Sequence, residues 1–452
     1  MRIVVAGCGK IGTSIVASLI KEEHDIIVID QKPSVINDLT NTYDVMSVCG
    51  SVLEYDTLKE AEISKAEMFI AVTGSDEFNM LSCFLAKRMG AGQTIARIRT
   101  PEYNDRSLDF LRSQLDLSMS INPELLVAHE LYNILKFPSA VKIENFSRRN
   151  FQMVELKIKE GSPAAGLSLI DFRKNFAAEF VVCMVQRGEE AIIPDGKFIL
   201  QVGDRIGVSA TPTEIFKLMR QMKVLKSKAK NVMIIGATRT AYYLAKMLSA
   251  AGTQVKIIDE DPNRCETFAE DLESVSMICG SSAEQEVLFE EGIDHHDAFV
   301  ALTGLDEQNI LVALSANNRN VPKVIAKVNS APLGDMAEKL GLDTIVSPQE
   351  TICNVIIQYA RALQNSIGSK VETLYKLLDG KVEALEFTVD SSFKYIDVPL
   401  KDMQLKENTL IAGIVRGRRA IIPAGDDVIL PADRVIVFAA GERIQNLSDI
   451  IK

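Results

Sequence analysis

The sequence has 452 residues, of which 47% are hydrophobic and 25% charged, and its formal net charge at pH 7 is −11. A chain of this length exceeds what one hydrophobic core supports and predicts about two to four domains, and the composition is that of an ordinary globular protein. The acidic balance, without a lysine–arginine cluster, argues against nucleic-acid binding, because neutralising phosphates requires a basic face.

The sequence also argues against a membrane-spanning or secreted protein and against one that depends on disulfides or a metal ion. No apolar run approaches the ~18 residues that span a bilayer, and the chain enters a strand at Ile3 without a signal peptide, so we expect a cytoplasmic location. The seven cysteines are scattered singly in apolar segments, which predicts buried, reduced thiols rather than disulfides or zinc ligands. The His295-His296 pair lies in an acidic connection, and we predict no metal site.

The first thirty residues contain a strand, a glycine turn, a helix and a second strand. Apolar residues at Ile3–Ala6 precede the turn, and helical spacing continues to Ile20. The turn consists of Gly7, Cys8, Gly9, Lys10, Ile11 and Gly12. The second apolar run, Ile26–Ile29, ends in Asp30, which gives the dinucleotide-binding pattern of a Rossmann fold.

Each glycine of this pattern, and the acid that follows, has a physical role in holding a dinucleotide. Gly7 permits the tight turn, Gly9 lets the backbone approach a pyrophosphate, and Gly12 allows close packing of helix on sheet. The helix N-terminus suits an anion, and Asp30 can accept hydrogen bonds from ribose hydroxyls. A strand-to-helix turn that binds no nucleotide is the alternative interpretation.

Residues 1 to about 120 alternate short apolar strands with helical stretches, which predicts β-α-β units and a parallel sheet. The expected strands are Ile3–Ala6, Ile26–Ile29, Met46–Cys49, Met68–Val72, Thr94–Ile98 and Leu117–Ile121. Ligands of open α/β sheets bind at the carboxyl ends of the strands. There we place Gly50-Ser51, Thr73-Gly74 and Arg97, the arginine as a bidentate phosphate ligand or, alternatively, in an ion pair with a surface acid.

An amphipathic helix is predicted to begin at Asn122-Pro123-Glu124 and to end before Pro138, and its counterpart runs from Gln349 to about Gln364. Such helices require a partner surface. Packing of each helix on its own domain and self-association of the chain through these helices remain equally open.

From about Ile143 the apolar pattern changes to two-residue alternation, which predicts a small α+β domain. We expect hairpin turns at Gln186-Arg187-Gly188 and at Asp195-Gly196, and a final helix over Glu214–Met222. Asp171, Asp204 and Glu214 are interpreted as cap and turn residues. The Lys226–Lys230 run predicts a polar linker between two halves.

The second half of the chain repeats the first. Gly236 follows a strand as Gly7 does, and Asp259 follows Ile257-Ile258 as Asp30 follows Val28-Ile29. The repeat extends to Cys279-Gly280-Ser281, Thr303-Gly304, Arg416-Gly417 and Ala432-Asp433-Arg434. A tandem duplication covering nearly the whole chain therefore predicts two Rossmann-like, doubly wound parallel-sheet domains, each followed by a small α+β domain.

The residues that an enzyme requires are not evident in the sequence. The small domains contain no histidine, no cysteine–histidine pairing and no G-x-S-x-G turn, and a Walker A lysine motif is also missing. We therefore predict no catalytic residues and a nucleotide-sensing role. An NAD-dependent oxidoreductase with an unrecognised catalytic site is the alternative, and a scaffold that only oligomerises is a third possibility.

The duplicated motifs resemble those of the TrkA family, the peripheral subunits of bacterial and archaeal Trk potassium uptake systems. The motifs that carry the resemblance are Gly7-x-Gly9-x-x-Gly12, Asp30, Ala71-Val-Thr-Gly-x-Asp-Glu-x-Asn79, Ala96-Arg97-Ile98 and the Ile-Ile-Pro194 hairpin. The resemblance implies alternating RCK-N and RCK-C domains, where RCK denotes regulator of K⁺ conductance. The implied ranges are 1–122 (RCK-N), 123–142 (crossover helix and linker), 143–226 (RCK-C), 227–347 (RCK-N), 348–372 (crossover helix and linker) and 373–452 (RCK-C).

The resemblance also implies ligands and partners. NAD(H) is the first expected ligand and ATP or ADP the second, and the expected partner is a membrane-embedded Trk-type potassium pore subunit. The chain would form a ring, as a homotetramer, on the inner face of the cell membrane, and nucleotide binding would change the ring's shape and gate the pore. These ligands and partners are implied by the resemblance alone, and the sequence patterns by themselves identify no partner.

Twenty-two residues are predicted to contact nucleotide in the two halves. The first set comprises Gly7, Cys8, Gly9, Lys10, Ile11, Gly12, Asp30, Gln31, Gly50, Ser51, Thr73, Gly74 and Arg97, and the second set comprises Gly236, Thr238, Arg239, Thr240, Asp259, Glu260, Thr303, Gly304 and Lys327. The family often has an acid where this chain has Ser51 and Ser281. Thr238 and Ala241 replace the second and third glycines, so a working second site and a structural copy are equally open, with Arg239 and Thr240 as possible new phosphate contacts.

Overall fold

The computed structural model describes residues 1–100, 105–136, 141–146, 151–224, 229–281, 285–365, 371–378, 380–441 and 444–452. The chain forms two compact units. The first unit contains Met1–Ala128 together with Ser347–Ala360, and the second contains His129–Val346 together with Arg361–Lys452. None of the helices in the described ranges combines the length and apolar character that crossing a bilayer requires.

The first half begins with a six-stranded parallel sheet. Its strands are β1 (Arg2–Ala6), β2 (Asp25–Asp30), β3 (Met46–Cys49), β4 (Met68–Ala71), β5 (Gln93–Arg97) and β6 (Met119–Ile121). The helices of this part are α1 (Lys10–Lys21), α2 (Pro33–Thr42), α3 (Tyr55–Glu60), α4 (Asp76–Arg88), α5 (Asp105–Gln114) and α6 (Pro123–Lys136). The strand order β3-β2-β1-β4-β5-β6 reverses between β1 and β4, which is where doubly wound sheets open a crevice for ligands.

The central strands form because their apolar residues are buried on both faces of the sheet. Val4 and Val5 of β1, Ile27 of β2 and Phe69 of β4 are fully buried. A parallel sheet covered by helices on both faces requires such continuous apolar runs. The strands expected from sequence are confirmed to within two residues at their ends.

A five-stranded antiparallel sheet follows. Its elements are β7 (Lys142–Phe146), β8 (Phe151–Lys157), α7 (Leu169–Asn175), β9 (Val181–Arg187), β10 (Glu190–Ile192), β11 (Arg205–Ala210) and α8 (Pro212–Gln221), and the strand order is β10-β9-β11-β8-β7. The predicted hairpin at Gly188 is confirmed, since Arg187 pairs with Glu190. The hairpin predicted at Asp195-Gly196 is wrong. The chain turns there, but Ile199 then forms an isolated bridge with Ser168 instead of pairing with β10.

The second half repeats both sheets. Its elements are β12 (Asn231–Ile235), α9 (Arg239–Ala250), β13 (Gln254–Asp259), α10 (Pro262–Asp271), β14 (Val275–Cys279), α11 (Gln285–Glu290), β15 (Ala298–Ala301), α12 (Asp306–Asn318), β16 (Lys323–Lys327), α13 (Ala331–Lys339), β17 (Ile345–Val346), α14 (Pro348–Asn365), β18 (Val371–Leu377), β19 (Val382–Thr388), β20 (Thr409–Arg416), β21 (Arg419–Ile421) and β22 (Arg434–Ala440). The strand orders β14-β13-β12-β15-β16-β17 and β18-β19-β22-β20-β21 match those of the first half. The predicted fold class is confirmed.

The two small domains bury one face of each sheet against the other. Phe146 and Phe151 of the first domain share a fully buried cluster with Phe438 and Val382 of the second. The Phe146 and Tyr375 rings meet edge to face, with centroids 5.0 Å apart. Both domains lie in the second compact unit. The duplication therefore gives one chain two sheets that pack face to face.

Most of the crossover helix α14 does not pack on its own domain, which was one of the two sequence-based alternatives. Its residues from Pro348 to Ala360 belong to the unit of the first Rossmann-like domain. There the Ser14 hydroxyl donates to Gln349 Oε1 at 3.0 Å, and the Tyr359 hydroxyl donates to Gln93 Oε1 at 3.1 Å. The helix that follows the second sheet therefore packs on the first domain of the same chain. In turn, the residues of α6 from His129 onward belong to the other unit.

The cysteines are free, as expected, but the expectation that all are buried is wrong. Cys49 and Cys279 are exposed, because each is the last residue of a strand near an edge of its sheet. The other five are buried: Cys8, Cys83, Cys183, Cys265 and Cys353. In the described part of the chain, no three histidine, cysteine or acidic residues are placed to hold a metal ion.

Candidate functional site

The glycine turn between β1 and α1 depends on the absence of side chains at two positions. Gly7 has φ +89°, and a Cβ there would lie 2.7 Å from the Thr73 nitrogen. A Cβ on Gly12 would lie 2.0 Å from the Gly7 carbonyl oxygen. Both glycines are therefore required by the close approach of α1 to the ends of β1 and β4.

Gly9 differs from Gly7 and Gly12, because the fold itself does not require a glycine at this position. It is the N-cap residue of α1, and a Cβ there would meet no atom of the described residues within 4 Å. The protein itself therefore tolerates a side chain at this point. The first N–H groups of α1, from Lys10 and Ile11, lack a side-chain cap, so the helix N-terminus presents unsatisfied donors and its positive dipole end. This arrangement suits an anion.

The Asp30 carboxylate is fixed beside this turn. Its Oδ2 accepts a hydrogen bond from the Cys8 N–H at 2.7 Å, and its Oδ1 accepts one from the Lys32 N–H at 2.9 Å. A carboxylate has about four acceptor positions, so capacity remains for the hydroxyls of a sugar. Burial, with a smaller contribution from Asp30, raises the pKa of the Cys8 thiol to about 12 and keeps it neutral.

Gly50 and Ser51 lie next to Asp30 through the backbone, since the Gly50 N–H donates to the Asp30 carbonyl at 3.0 Å. A Cβ on Gly50 would lie 2.4 Å from the Thr57 hydroxyl, which explains the glycine. The Ser51 hydroxyl accepts from the Leu53 N–H at 3.3 Å. Ser51 therefore begins the turn after β3. Gln31, beyond Asp30, is exposed.

Thr73 and Gly74 occupy the end of β4, and a buried asparagine holds them there. The Oδ1 atom of Asn79 accepts from both the N–H and the hydroxyl of Thr73, at 2.8 and 2.7 Å. The Asn79 Nδ2 donates to the Arg97 carbonyl at 2.9 Å. Asn79 thus ties the end of β4 to the end of β5. The sequence motif contains Asn79, but its spacing does not reveal this role.

Arg97 is buried, at 8% exposure, and its guanidinium Nη2 donates to the Thr73 carbonyl. This contact differs from both the phosphate and the surface-acid pairing considered from sequence. The carbonyl contact turns the guanidinium towards the end of β4. Arg97 therefore lies at the same edge of the sheet as the glycine turn.

A second arginine at this edge was missed by sequence analysis. The Arg99 Nη2 donates to the Gly74 carbonyl at 3.0 Å, and its Nε lies 3.8 Å from Asp76 Oδ1. Burial acts to raise the pKa of Asp76, but hydrogen bonds from Thr100 and Arg99 outweigh it and lower that pKa. The sequence signal that could have identified Arg99 is its place two residues after Arg97, beyond the end of the same strand. A second guanidinium therefore lies at the first site, in an ion pair with Asp76.

The second half reproduces much of this arrangement. Gly236 has φ +97°, and Asp259 accepts from the Ala237 N–H at 2.6 Å and from the Asp261 N–H at 2.9 Å. Asn309 again joins Thr303 to the carbonyl of the basic residue at the strand end, here Lys327. Gly304 follows Thr303 at the end of β15, and Glu260 is exposed beyond Asp259.

The N-terminus of α9 in the second half is capped by a side chain, whereas the N-terminus of α1 is not. Thr238, at the position of Gly9, is the N-cap of α9, and its hydroxyl accepts from the Ala241 N–H at 3.4 Å. One of the orphan donors that face an anion in the first half is therefore already satisfied. Thr240 is buried, whereas Arg239 is exposed.

Charge at the second strand edge differs as well. Asn329 stands where the first half has Arg99, and its side chain donates to Asp306 at 2.8 Å. A guanidinium instead lies at the acidic tip of β13, where Arg264 Nη1 is 3.9 Å from Asp259 Oδ2. Val35 holds the corresponding position in the first half. The two edges therefore present different electrostatic surfaces.

Comparison with protein families identifies the chain. The model of the TrkA-N domain matches residues 3–115 and 232–348, and the model of the TrkA-C domain matches residues 153–223 and 384–452. The chain belongs to the TrkA family. Members of the family with similar sequences are named Trk system potassium uptake protein TrkA or TrkA homolog.

The relatives match over their full length. The TrkA homolog of Archaeoglobus fulgidus is 32% identical over 452 residues and covers 100% of both chains. TrkA of Vibrio alginolyticus is 29% identical over 449 residues, which are 98% of this chain and 96% of the relative. The predicted family is confirmed by matches in both bacteria and archaea.

Solved structures share the fold of this TrkA-family chain. The GsuK channel bound to NAD has a TM-score of 0.64 at 16% identity, over 97% of this chain and 77% of that chain. The crystal structure of the GsuK RCK domain has a TM-score of 0.63 at 16% identity, over 97% and 92% of the two chains. The tandem RCK architecture is thereby confirmed. The expected role in potassium transport is supported by the relatives, which are named Trk system potassium uptake proteins.

Proposed function

We propose that this TrkA-family chain is a regulatory subunit that binds NAD(H) at the carboxyl edge of its first Rossmann-like sheet. The observation that carries the proposal is the N-terminus of α1, which is uncapped at Gly9 and faces open space beside the fixed Asp30 carboxylate. ATP or ADP is the second candidate. GsuK, which shares the fold, has been solved with NAD and with ADP.

The proposed ligand contacts follow from the donors and acceptors at this edge. The N–H groups at Gly9 to Gly12 would hold the pyrophosphate, and Asp30 would accept from ribose hydroxyls. Thr73-Gly74 would contribute backbone groups. Arg97 donates to the Thr73 carbonyl and Arg99 donates to the Gly74 carbonyl, and these two guanidinium groups would favour an anionic ligand at this end.

We propose that the second edge is a structural copy and that each chain binds one nucleotide. The Thr238 hydroxyl occupies the cap position that a phosphate would use, and a Cβ is present where Gly9 leaves space. The loss of Arg99's counterpart further weakens attraction for a dinucleotide. The residues proposed from sequence at this edge would then keep the sheet ends in place rather than bind ligand.

Calorimetric titration of the purified chain with NADH, NAD⁺, ATP and ADP tests both proposals. We expect binding of the nicotinamide nucleotides with a stoichiometry of about one per chain, because α1 lacks a side-chain cap whereas α9, its counterpart in the second half, is capped by Thr238. Absence of binding to all four ligands would contradict the sensor. A stoichiometry of two would contradict the single site, without affecting the sensor itself.

The regulatory role separates this chain from a dehydrogenase. We propose that nucleotide is bound and released without turnover, that the chain is cytoplasmic on the inner face of the membrane, and that its partner is a Trk-type potassium pore subunit. Consumption of NADH with a small-molecule substrate would support the oxidoreductase alternative instead. Co-purification with a membrane protein that conducts potassium supports the regulatory role.

We further propose that the chain assembles as a homotetrameric ring, and exposed apolar residues at matched positions support this. Leu81 of α4 is 45% exposed and Leu311 of α12 is 67% exposed, and the two leucines hold the same position in the two halves. Phe78 lies near Leu81 on α4 and is also exposed. Repeated exposed apolar positions are typical of an interaction surface.

Replacing Leu81 by glutamate should dissociate the ring. A charge placed in an apolar contact between chains loses its hydration without a partner. Light scattering after gel filtration should shift from a tetramer towards the 49.8 kDa monomer. Met46→Glu is the control, because Met46 is also exposed but lies on the edge strand β3. An unchanged mass for Leu81→Glu would exclude α4 from the assembly surface.

A further inference from the structure

Two cysteines of the second Rossmann-like domain lie side by side. Cys265 is in the first turn of α10 and is buried, whereas Cys279 ends β14 and is exposed. Cys279 is near enough to contribute to the raised pKa of the Cys265 thiol. The Cys265 Sγ also lies 3.9 Å from the carbonyl oxygen of Ile278, the residue that precedes Cys279. The contact therefore joins the helix to the end of the strand.

The first half contains the same backbone without the thiol pair. Cys49 ends β3 as Cys279 ends β14, and it is also exposed. Opposite it, Ile36 occupies the position of Cys265 on α2 and is likewise buried. An apolar residue therefore satisfies the packing requirement at this position. The second thiol of the pair is not needed to fill the core.

The pair lies beside the acidic tip of β13. The Cys265 Sγ donates to the Asp259 carbonyl at 3.3 Å, and Asp259 pairs with Cys279 in the parallel register of the sheet. Burial raises the pKa of Cys265 to about 12, with further contributions from Cys279, Asp259 and Asp261. Arg264, next to Cys265, faces the same two carboxylates. Cys265 thus stays protonated, and the exposed Cys279 is the thiol that reagents reach first.

We propose that Cys265 and Cys279 are a modification site, a dithiol that a peroxide converts reversibly into a disulfide between α10 and β14. Reduced thiols are the resting state of proteins in a reducing compartment, where disulfides that do form are usually transient and redox-sensing. The proposal needs neither nucleotide binding nor the potassium pore, so it stands apart from the function proposed above.

The reaction balances with hydrogen peroxide as the oxidant. The Cys279 sulfur, as thiolate, attacks one peroxide oxygen, an S–O bond forms, the O–O bond breaks, and the departing hydroxide takes a proton to become water. The Cys265 sulfur then attacks the sulfenic sulfur, the S–S bond forms and the S–O bond breaks. The Cys265 proton leaves with the hydroxide as a second water. Two thiols lose two electrons, and one peroxide becomes two waters.

Mass spectrometry of the full chain after limited hydrogen peroxide treatment and alkylation tests the site. We expect a loss of two alkylatable thiols, a linked pair of peptides that contain Cys265 and Cys279, and full recovery after dithiothreitol. Cys49 is the internal control, because it is also exposed at a strand end, but the buried Ile36 holds the position that Cys265 holds in the second half. It should not form an intramolecular disulfide.

The variant Cys265→Ile reproduces the first-half arrangement and keeps the packing. In this variant Cys279 should accumulate as a sulfenic acid that dimedone labels, and no linked peptide should form. Three results would overturn the proposal: both thiols remain alkylatable in the oxidised wild-type chain, Cys279 is oxidised to sulfinic acid while Cys265 stays free, or Cys279 links two chains.

Discussion

Replacing Gly9 by aspartate should abolish nucleotide binding to the first Rossmann-like domain. The new side chain would enter the space in front of α1, where a Cβ meets no described atom within 4 Å, so the fold should tolerate it. Aspartate is a favourable N-cap, and its carboxylate would satisfy the N–H groups that a pyrophosphate requires while repelling the ligand's charge. Calorimetry should show at least a hundredfold loss of affinity, of the order of 3 kcal/mol or more.

The matched control is Thr238→Asp in the second half. Threonine already caps α9, and aspartate is an equivalent or better cap, so this variant should keep both its fold and the wild-type affinity. Equal losses in the two variants would show that both halves bind nucleotide. Circular dichroism of Gly9→Asp checks that the helices persist, because a loss of binding caused by unfolding would give no information about the nucleotide site.

The same variant separates a sensor from a scaffold. Potassium uptake should be measured in cells whose own copy of the chain is replaced by Gly9→Asp. A sensor predicts that uptake no longer responds to the nucleotide pool, whereas a scaffold predicts uptake identical to the wild type. Thr238→Asp should behave as the wild type under both interpretations.

The sheet and the glycine turn could be predicted because their causes are local in sequence. Continuous apolar runs such as Ile26–Ile29 have no other stable position than a strand buried on both faces. Gly7 and Gly12 are recognisable because the turn demands them, and the structure shows the backbone atoms that a Cβ would strike. The duplication then fixed the second half by repetition.

Other features depend on contacts that the sequence does not reveal. The apolar face of α14 shows that the helix needs a partner, but the partner is α1 and β5 of the other half, several hundred residues away. Arg99 is one of many surface-type arginines until its contact with the Gly74 carbonyl is known. The exposure of Cys49 likewise follows from its place at the end of an edge strand.

Asp204, interpreted from the sequence as a turn residue, forms a buried ion pair in the structure. It is 1% exposed, and its two carboxylate oxygens accept from Arg187 Nε and Nη2, each at 2.8 Å. The Gln201 N–H also donates to it at 2.8 Å. The second half repeats this pair as Arg416 and Asp433. The bidentate pair joins the end of β9 to the start of β11 in the first small domain, and the end of β20 to the start of β22 in the second.

Replacing Arg187 by methionine should destabilise the first small domain by about 2 kcal/mol. Removing one partner of a fully buried pair costs roughly 3–5 kcal/mol, because the other charge is left without compensation. The cost here is smaller, since 35% of the Arg187 side chain is exposed and solvent screens it. Because the chain has several domains, hydrogen exchange of β9 and β11 is the measurement, and their protection should fall by roughly thirtyfold.

The double variant Arg187→Met, Asp204→Leu distinguishes an uncompensated charge from lost packing. Without the buried carboxylate, the methionine variant should regain part of its protection, although the Gln201 N–H then loses its acceptor. Lys401→Met is the control, because it breaks the exposed pair with Asp426 and should leave protection unchanged. If the double variant exchanges faster than Arg187→Met alone, the lost acceptor of the Gln201 N–H costs more than the uncompensated charge, and the explanation by charge is wrong.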